Sequence, residues 1–147
     1  RWTSTDEPTI AAYIELVDKV CPCIILVHSQ SGPFGYRVAQ ARPDKVKALI
    51  LVEPAGVGDA KQVAALRNIP NVSIYGDFIE SDSRWPNIRA NNMKFQDAMR
   101  QAGGKPELIN LPERGIKGNS HMLMMDKNNQ DIAAVIQQWL SDKGFVH

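Results

Sequence analysis

The chain has no apolar run approaching 18 residues, the minimum for a membrane-spanning helix. No basic run is longer than two residues, and 17 basic residues stand against 16 acidic ones for a net charge of +1. A polyanion footprint is therefore missing, and nucleic acid is not an expected partner. Cysteine is scarce. Cys21 and Cys23 flank Pro22, with nothing spaced to complete a zinc site or a disulfide framework. The expectation is two small buried side chains at a strand start, with a Cys21–Cys23 bridge as the less favoured reading. An initiator Met and an apolar leader are also missing from the opening Arg1-Trp2-Thr3-Ser4-Thr5-Asp6-Glu7. The chain is thus expected to begin inside a longer protein. What is present is ordinary: 147 residues, 44% hydrophobic and 22% charged. That composition buries a core and excludes disordered, collagen-like and coiled-coil classes.

Helix and strand patterns alternate along the chain. Pro8 suits a first helical turn, with Asp6 or Thr5 near the cap, and Ile10, Ile14 and Val17 recur at helical spacing. Apolar runs at 23–27 and 47–52 read as strands buried on both faces, and 71–75 and 107–111 as two more strands. Helices are expected over 33–41, briefly over 62–66, and over 88–101, which ends at Gly103-Gly104. Ile132, Val135, Ile136, Trp139 and Leu140 form a last helical stripe. The alternation implies an α/β fold, a mostly parallel sheet with helices on both faces. Sites in such sheets lie at the carboxyl ends of the strands. Here those ends carry His28-Ser29, Glu53-Pro54, Gly76-Asp77 and the loop around His121.

Ser29 sits where a buried strand turns into a helix, in Val27-His28-Ser29-Gln30-Ser31-Gly32. On so sharp a turn the hydroxyl projects above the sheet, and the Gln30 N–H points the same way. That arrangement suits acyl transfer, the hydroxyl attacking and the N–H holding the oxyanion. The plain alternative is a serine capping the next helix. A nucleophilic serine needs a base and an orienting acid. Glu53 ends the next strand after four apolar residues, where an unpaired carboxylate would be costly. His121 follows the last strand, in Gly118-Asn119-Ser120-His121. The order Ser, acid, His is that of α/β-hydrolases, and the three strands concerned are expected to neighbour one another.

These residues carry a resemblance. Ser29-Gln30-Ser31-Gly32, Val52-Glu53-Pro54, Gly76-Asp77 with Ile79-Glu80, Arg84-Trp85 and Gly118-Asn119-Ser120-His121-Met122 resemble a small bacterial esterase branch of the α/β-hydrolases. The resemblance covers nearly the whole chain, from the helix before the family's fifth strand onward. It implies the carboxyl-terminal portion of an α/β-hydrolase fold, read here as one unit over 1–147. It also implies a carboxylic ester hydrolase with Ser29 as nucleophile, Glu53 as acid and His121 as base, working through an acyl-enzyme on a small-molecule ester. Gln30 would supply one oxyanion N–H, and a missing amino-terminal half, in the same protein or a second chain, would supply the other. No metal or organic cofactor is called for.

The pattern departs from the common elbow at Val27 and Ser31, where glycine is usual. Ser31 is a rival nucleophile, and Asp77 and Glu80 are rival acids at the family's usual strand. A sheet cut at this point is expected to show an uncovered edge. Other features were weighed. Gly56-Val57-Gly58 lacks the third glycine of a dinucleotide fingerprint. Met122, Met124 and Met125 read as apolar wall or core rather than metal ligands. His28 either lines the site or is a plain strand-end histidine, and Trp85 with Phe78 either walls a pocket or packs inside. His147 is terminal and carries no argument. The alternative function is a non-catalytic ligand-binding or assembly module on the same fold. A homodimer stays open, and the compartment stays undecided, a soluble secreted or periplasmic protein being the expectation.

Overall fold

The four apolar runs pair as parallel strands in the order β1-β2-β3-β4. They are β1 (Cys23–His28), β2 (Val46–Val52), β3 (Asn71–Tyr75) and β4 (Glu107–Asn110). Four helices accompany them: α1 (Asp6–Val20), α2 (Gly32–Ala41), α3 (Trp85–Gln101) and α4 (Asn129–Asp142). The computed structural model describes residues 5–146. The opening tetrapeptide and His147 discussed above lie outside the described residues.

Right-handed crossovers in a sheet that advances one strand at a time fall on one face. α1, α2 and α3 accordingly pack there, Val17, Tyr36, Phe95 and Met99 closing on Leu49 and Leu51 of β2. α4 lies on the other face, where Ile132 and Trp139 close on Ile50, Val52, Ile74 and Ile109. β2 therefore feeds both cores with alternate side chains, which is why its sequence is apolar without a break from Ala48 to Val52. The fold is the α/β architecture that the alternation implies, with helices on both faces.

Four local expectations are corrected. β1 is not buried on both faces: Ile24 is 37% and Leu26 53% exposed. Among the described residues β1 pairs with β2 alone, so it is an edge strand and one of its faces meets solvent. Cys21 and Cys23 are not two buried thiols but form a disulfide. Cys21 caps α1, its N–H donating to Val17 O (3.1 Å), while Cys23 N–H donates to Lys45 O (3.1 Å) as β1 begins. Only Pro22 separates the two elements, and the resulting Cα–Cα distance of 4.4 Å suits a bridge. α3 starts at Trp85 rather than at 88, because Asp82 Oδ1 accepts from the N–H groups of Arg84 (2.7 Å) and Trp85 (3.0 Å). Pro86 sits harmlessly in that first turn. β4 stops at Asn110 rather than 111, where Leu111–Arg114 wind into a 3-10 turn, as Ala60–Leu66 also do.

The start of α2 presses on the segment after β2. A Cβ added at Gly32 would lie 2.5 Å from Pro54 Cβ and 2.9 Å from Pro54 Cα. Backbone cannot swing aside as a side-chain tip can. Gly32→Ala is expected to cost about 1–3 kcal/mol in denaturant unfolding, and a variant as stable as the parent would contradict this packing.

Candidate active site

Ser29 is the first residue past β1, and its φ is 53°. Glu53 is the first past β2, with φ 41°, and Phe78 follows β3 with φ 59°. These are the non-glycine residues with positive φ among the described residues, and each lies at a strand's carboxyl end. Left-handed backbone is costly for such side chains and collects at functional sites. The strain is held by neighbours. Ser29 O accepts from Ala55 N–H (2.9 Å), and Glu53 N–H donates to Ile74 O (2.9 Å), so Glu53 leaves the strand still tied to the ladder.

Glu53 is 1% exposed. Both of its oxygens are used: Oε1 accepts from Gly76 N–H (2.8 Å) and Oε2 from His121 Nδ1–H (2.6 Å). A carboxylate only accepts, so the His121 proton sits on Nδ1 and leaves Nε2 as an acceptor. Ser29 Oγ–H donates to that nitrogen at 2.7 Å. Burial pushes the Glu53 carboxyl above its ordinary value, against the opposing pull of the hydrogen bonds from His121 and Gly76.

His121 reaches this point by its loop, not by its strand. The expectation that three neighbouring strands carry the three residues holds for β1 and β2, but β3 lies between β2 and β4. The loop after β4 returns across the end of β3 and is pinned there. Asp77 Oδ2 accepts from Asn119 N–H (3.0 Å). The Asp126 carboxylate accepts from Ser120 N–H and Ser120 Oγ–H, both at 2.8 Å. Buried Asn119 donates from Nδ2 to Asn128 Oδ1 (2.6 Å). His28 Nε2–H donates to His121 O (2.7 Å), and the Trp85 ring lies 4.5 Å from the His121 ring.

The structure thus brings Ser29, Glu53 and His121 together and leaves their rivals elsewhere. Asp77 is occupied with Asn119. Glu80 is exposed and pairs with Arg89 (3.3 Å). The Ser31 hydroxyl donates to His28 O (2.6 Å) and accepts from His28 N–H (3.1 Å), turned to the backbone. Gln30 lines an open pocket of about 470 Å³ over Ser29, walled by Tyr13, Phe34 and Met122. Trp85 and Phe78 do not line it; Phe78 is 66% exposed. Met124 and Met125 are exposed, neither wall nor core. Gly56 and Gly58 serve packing, since a Cβ there would meet Pro33 Cγ at 2.6 Å and Tyr36 Cβ at 2.9 Å. Sequence reasoning missed Asp126, Asn119, Tyr13 and Phe34. Only Asn119 carried a signal, as part of the motif around His121.

No family model matches the chain. It is 28% identical to a probable secreted lipase, phiG, of Fungal sp. (strain ATCC 74256), over 92% of this chain and 50% of that protein. It also superimposes on the atomic-resolution structure of a novel bacterial esterase with a TM-score of 0.85 and 36% identity. That match covers 95% of this chain and 44% of the other. The chain thus spans about half the length of the relatives it matches. Both relatives fit an α/β-hydrolase-like esterase, and the four-stranded parallel sheet with its helices is of that fold.

Because burial raises the folded-state pKa of Glu53, the ionised carboxylate weighs against folding. Its stabilising share is full below the ordinary value of 4.5 and is lost as pH rises through the higher folded value. Glu53→Gln has no such loss and keeps an acceptor for Gly76. Relative to the parent, its Tm is expected to climb as pH is raised from about 4.5 toward neutral. A Tm gap that is flat with pH, or that shrinks, would contradict the burial effect.

Proposed function

We propose that this chain carries the complete catalytic triad of a serine esterase and hydrolyses carboxylic esters of small molecules through an acyl-enzyme on Ser29. The observation that carries the reading is the continuous relay from Ser29 Oγ–H to His121 Nε2 (2.7 Å) and from His121 Nδ1–H to Glu53 Oε2 (2.6 Å). His121 takes the serine proton as Oγ attacks the ester carbonyl. Glu53 orients the imidazole and stabilises the imidazolium that forms. His121 then gives that proton to the departing alcohol. A water molecule, deprotonated by the same nitrogen, attacks the acyl-enzyme and releases the carboxylic acid, restoring Ser29.

Developing negative charge on the carbonyl oxygen needs donors. The Gln30 N–H, first after the nucleophile and beside the pocket, is one. The other belongs to an amino-terminal half of the fold, of which residues 1–147 would be the carboxyl-terminal portion. Two observations support that assembly: β1 has an open edge among the described residues, and the relatives are about twice as long. The Ser-Gln-Ser-Gly elbow and a glutamate acid support the esterase branch that the sequence resembles. The Cys21–Cys23 disulfide and the relative described as secreted support an oxidising location, secreted or periplasmic.

Turnover of a chromogenic ester tests the reading. Ser29→Ala is expected to lower kcat by about 10⁴-fold or more, as removal of a triad member does. Ser31→Ala, which loses only two bonds to the His28 backbone, is expected to stay within about tenfold. The reverse order would move the nucleophile to Ser31, and an unaffected Ser29→Ala would end the acyl-enzyme reading.

A further inference from the structure

His28 bonds to both halves of the site, through its ring to the His121 loop and through its backbone to the serine turn. Nε2 lies 2.7 Å from His121 O. A carbonyl only accepts, so Nε2 carries the His28 proton and Nδ1 is bare. The backbone of His28 holds the turn that follows it: His28 N–H donates to Ser31 Oγ (3.1 Å) and His28 O accepts from the Ser31 hydroxyl (2.6 Å). The His28 and His121 rings lie 4.6 Å apart at 36°. His28 therefore links the Ser29–Ser31 turn to the peptide of His121, beside the 2.7 Å contact between Ser29 and His121.

From this geometry we infer that His28 is a positioning residue, which clamps the serine turn to the histidine loop and so fixes the Ser29–His121 distance. The inference rests on the esterase reading for its kinetic consequence, not for the contact itself. The His121 loop needs such a clamp. It arrives from β4, two strands away from Glu53, and its other anchors act on Asn119 and Ser120. His28 alone among these groups bonds the backbone of His121 itself.

Two substitutions separate clamping from simple capping. Asparagine places its Oδ1 where the imidazole has Nδ1, so His28→Asn keeps a side chain able to cap the turn but stops short of His121. Glutamine places its Nε2 where the imidazole has Nε2, so His28→Gln keeps the donor to His121 O and loses the near acceptor. Clamping predicts that His28→Asn lowers kcat about 10–100-fold with KM within about twofold, while His28→Gln stays within about threefold of the parent. A role limited to capping predicts the opposite order, since asparagine is a good cap and glutamine is not. A readout independent of turnover is the downfield proton resonance of His121 Nδ1–H bonded to Glu53. It is expected to persist in His28→Gln and to broaden or vanish in His28→Asn, in samples with parental circular dichroism. Parental kcat and an intact resonance in His28→Asn would overturn the inference. A parent protein that hydrolyses no ester would sink the esterase reading instead, and the resonance would still decide the role of His28.

Discussion

A carboxylate buried to 1% exposure governs the arrangement of this molecule. Glu53 stands at the end of the central strand β2, between two hydrophobic cores, where an unpaired charge costs several kcal/mol. Its burial is tolerable only because both oxygens are met, one by the backbone of Gly76 and one by His121. Each partner imposes a further condition. Gly76 must end β3 at the right height, and a Cβ there would approach Asn119 and Glu53 Oε1 to 3.1 and 3.2 Å. His121 must cross back from beyond β4, which requires the anchors at Asp77, Asp126, Asn128 and His28. The serine dyad is the far end of this chain of requirements.

The sheet supplies rigidity where the ligating loops cannot. Parallel strands with helices on both faces deliver their carboxyl ends to one edge, and the left-handed residues at 29, 53 and 78 collect there. Such strain persists only where neighbours over-determine it. Here the neighbours are the ladder bond to Ile74, the bond from Ala55 to Ser29, and the tight seating of Gly32 on Pro54. The site is thus assembled at a cost in stability, in backbone strain and in a carboxylate held above its ordinary ionisation, that the two cores offset.

Most of the frame was legible in the sequence, because burial on both faces leaves an unbroken apolar run. Ala48 to Val52 of β2 follow that rule; β3 is buried throughout yet carries Asn71 and Ser73, and α1 and α4 were read from apolar stripes at helical spacing. β1 reads like them but is an edge strand: its sequence carries the apolar face and cannot say that nothing described covers it. Ser29, Glu53 and His121 were legible from residue type and position at strand ends. Their supports were not. The partner of Asp77 lies 42 residues away and that of His28 lies 93 away, so tertiary path rather than local pattern chooses them. The Cys21–Cys23 bridge was the less favoured reading for a related reason, since pairing depends on how α1 ends and β1 begins and not on cysteine count.

The most direct measurement is the site of covalent modification by a fluorophosphonate, located by peptide mass spectrometry. The account predicts a single adduct on Ser29, because its hydroxyl alone donates to His121 Nε2 within a relay ending on a buried carboxylate. An adduct on Ser31, or continued ester turnover with Ser29 unmodified under saturating reagent, would contradict it.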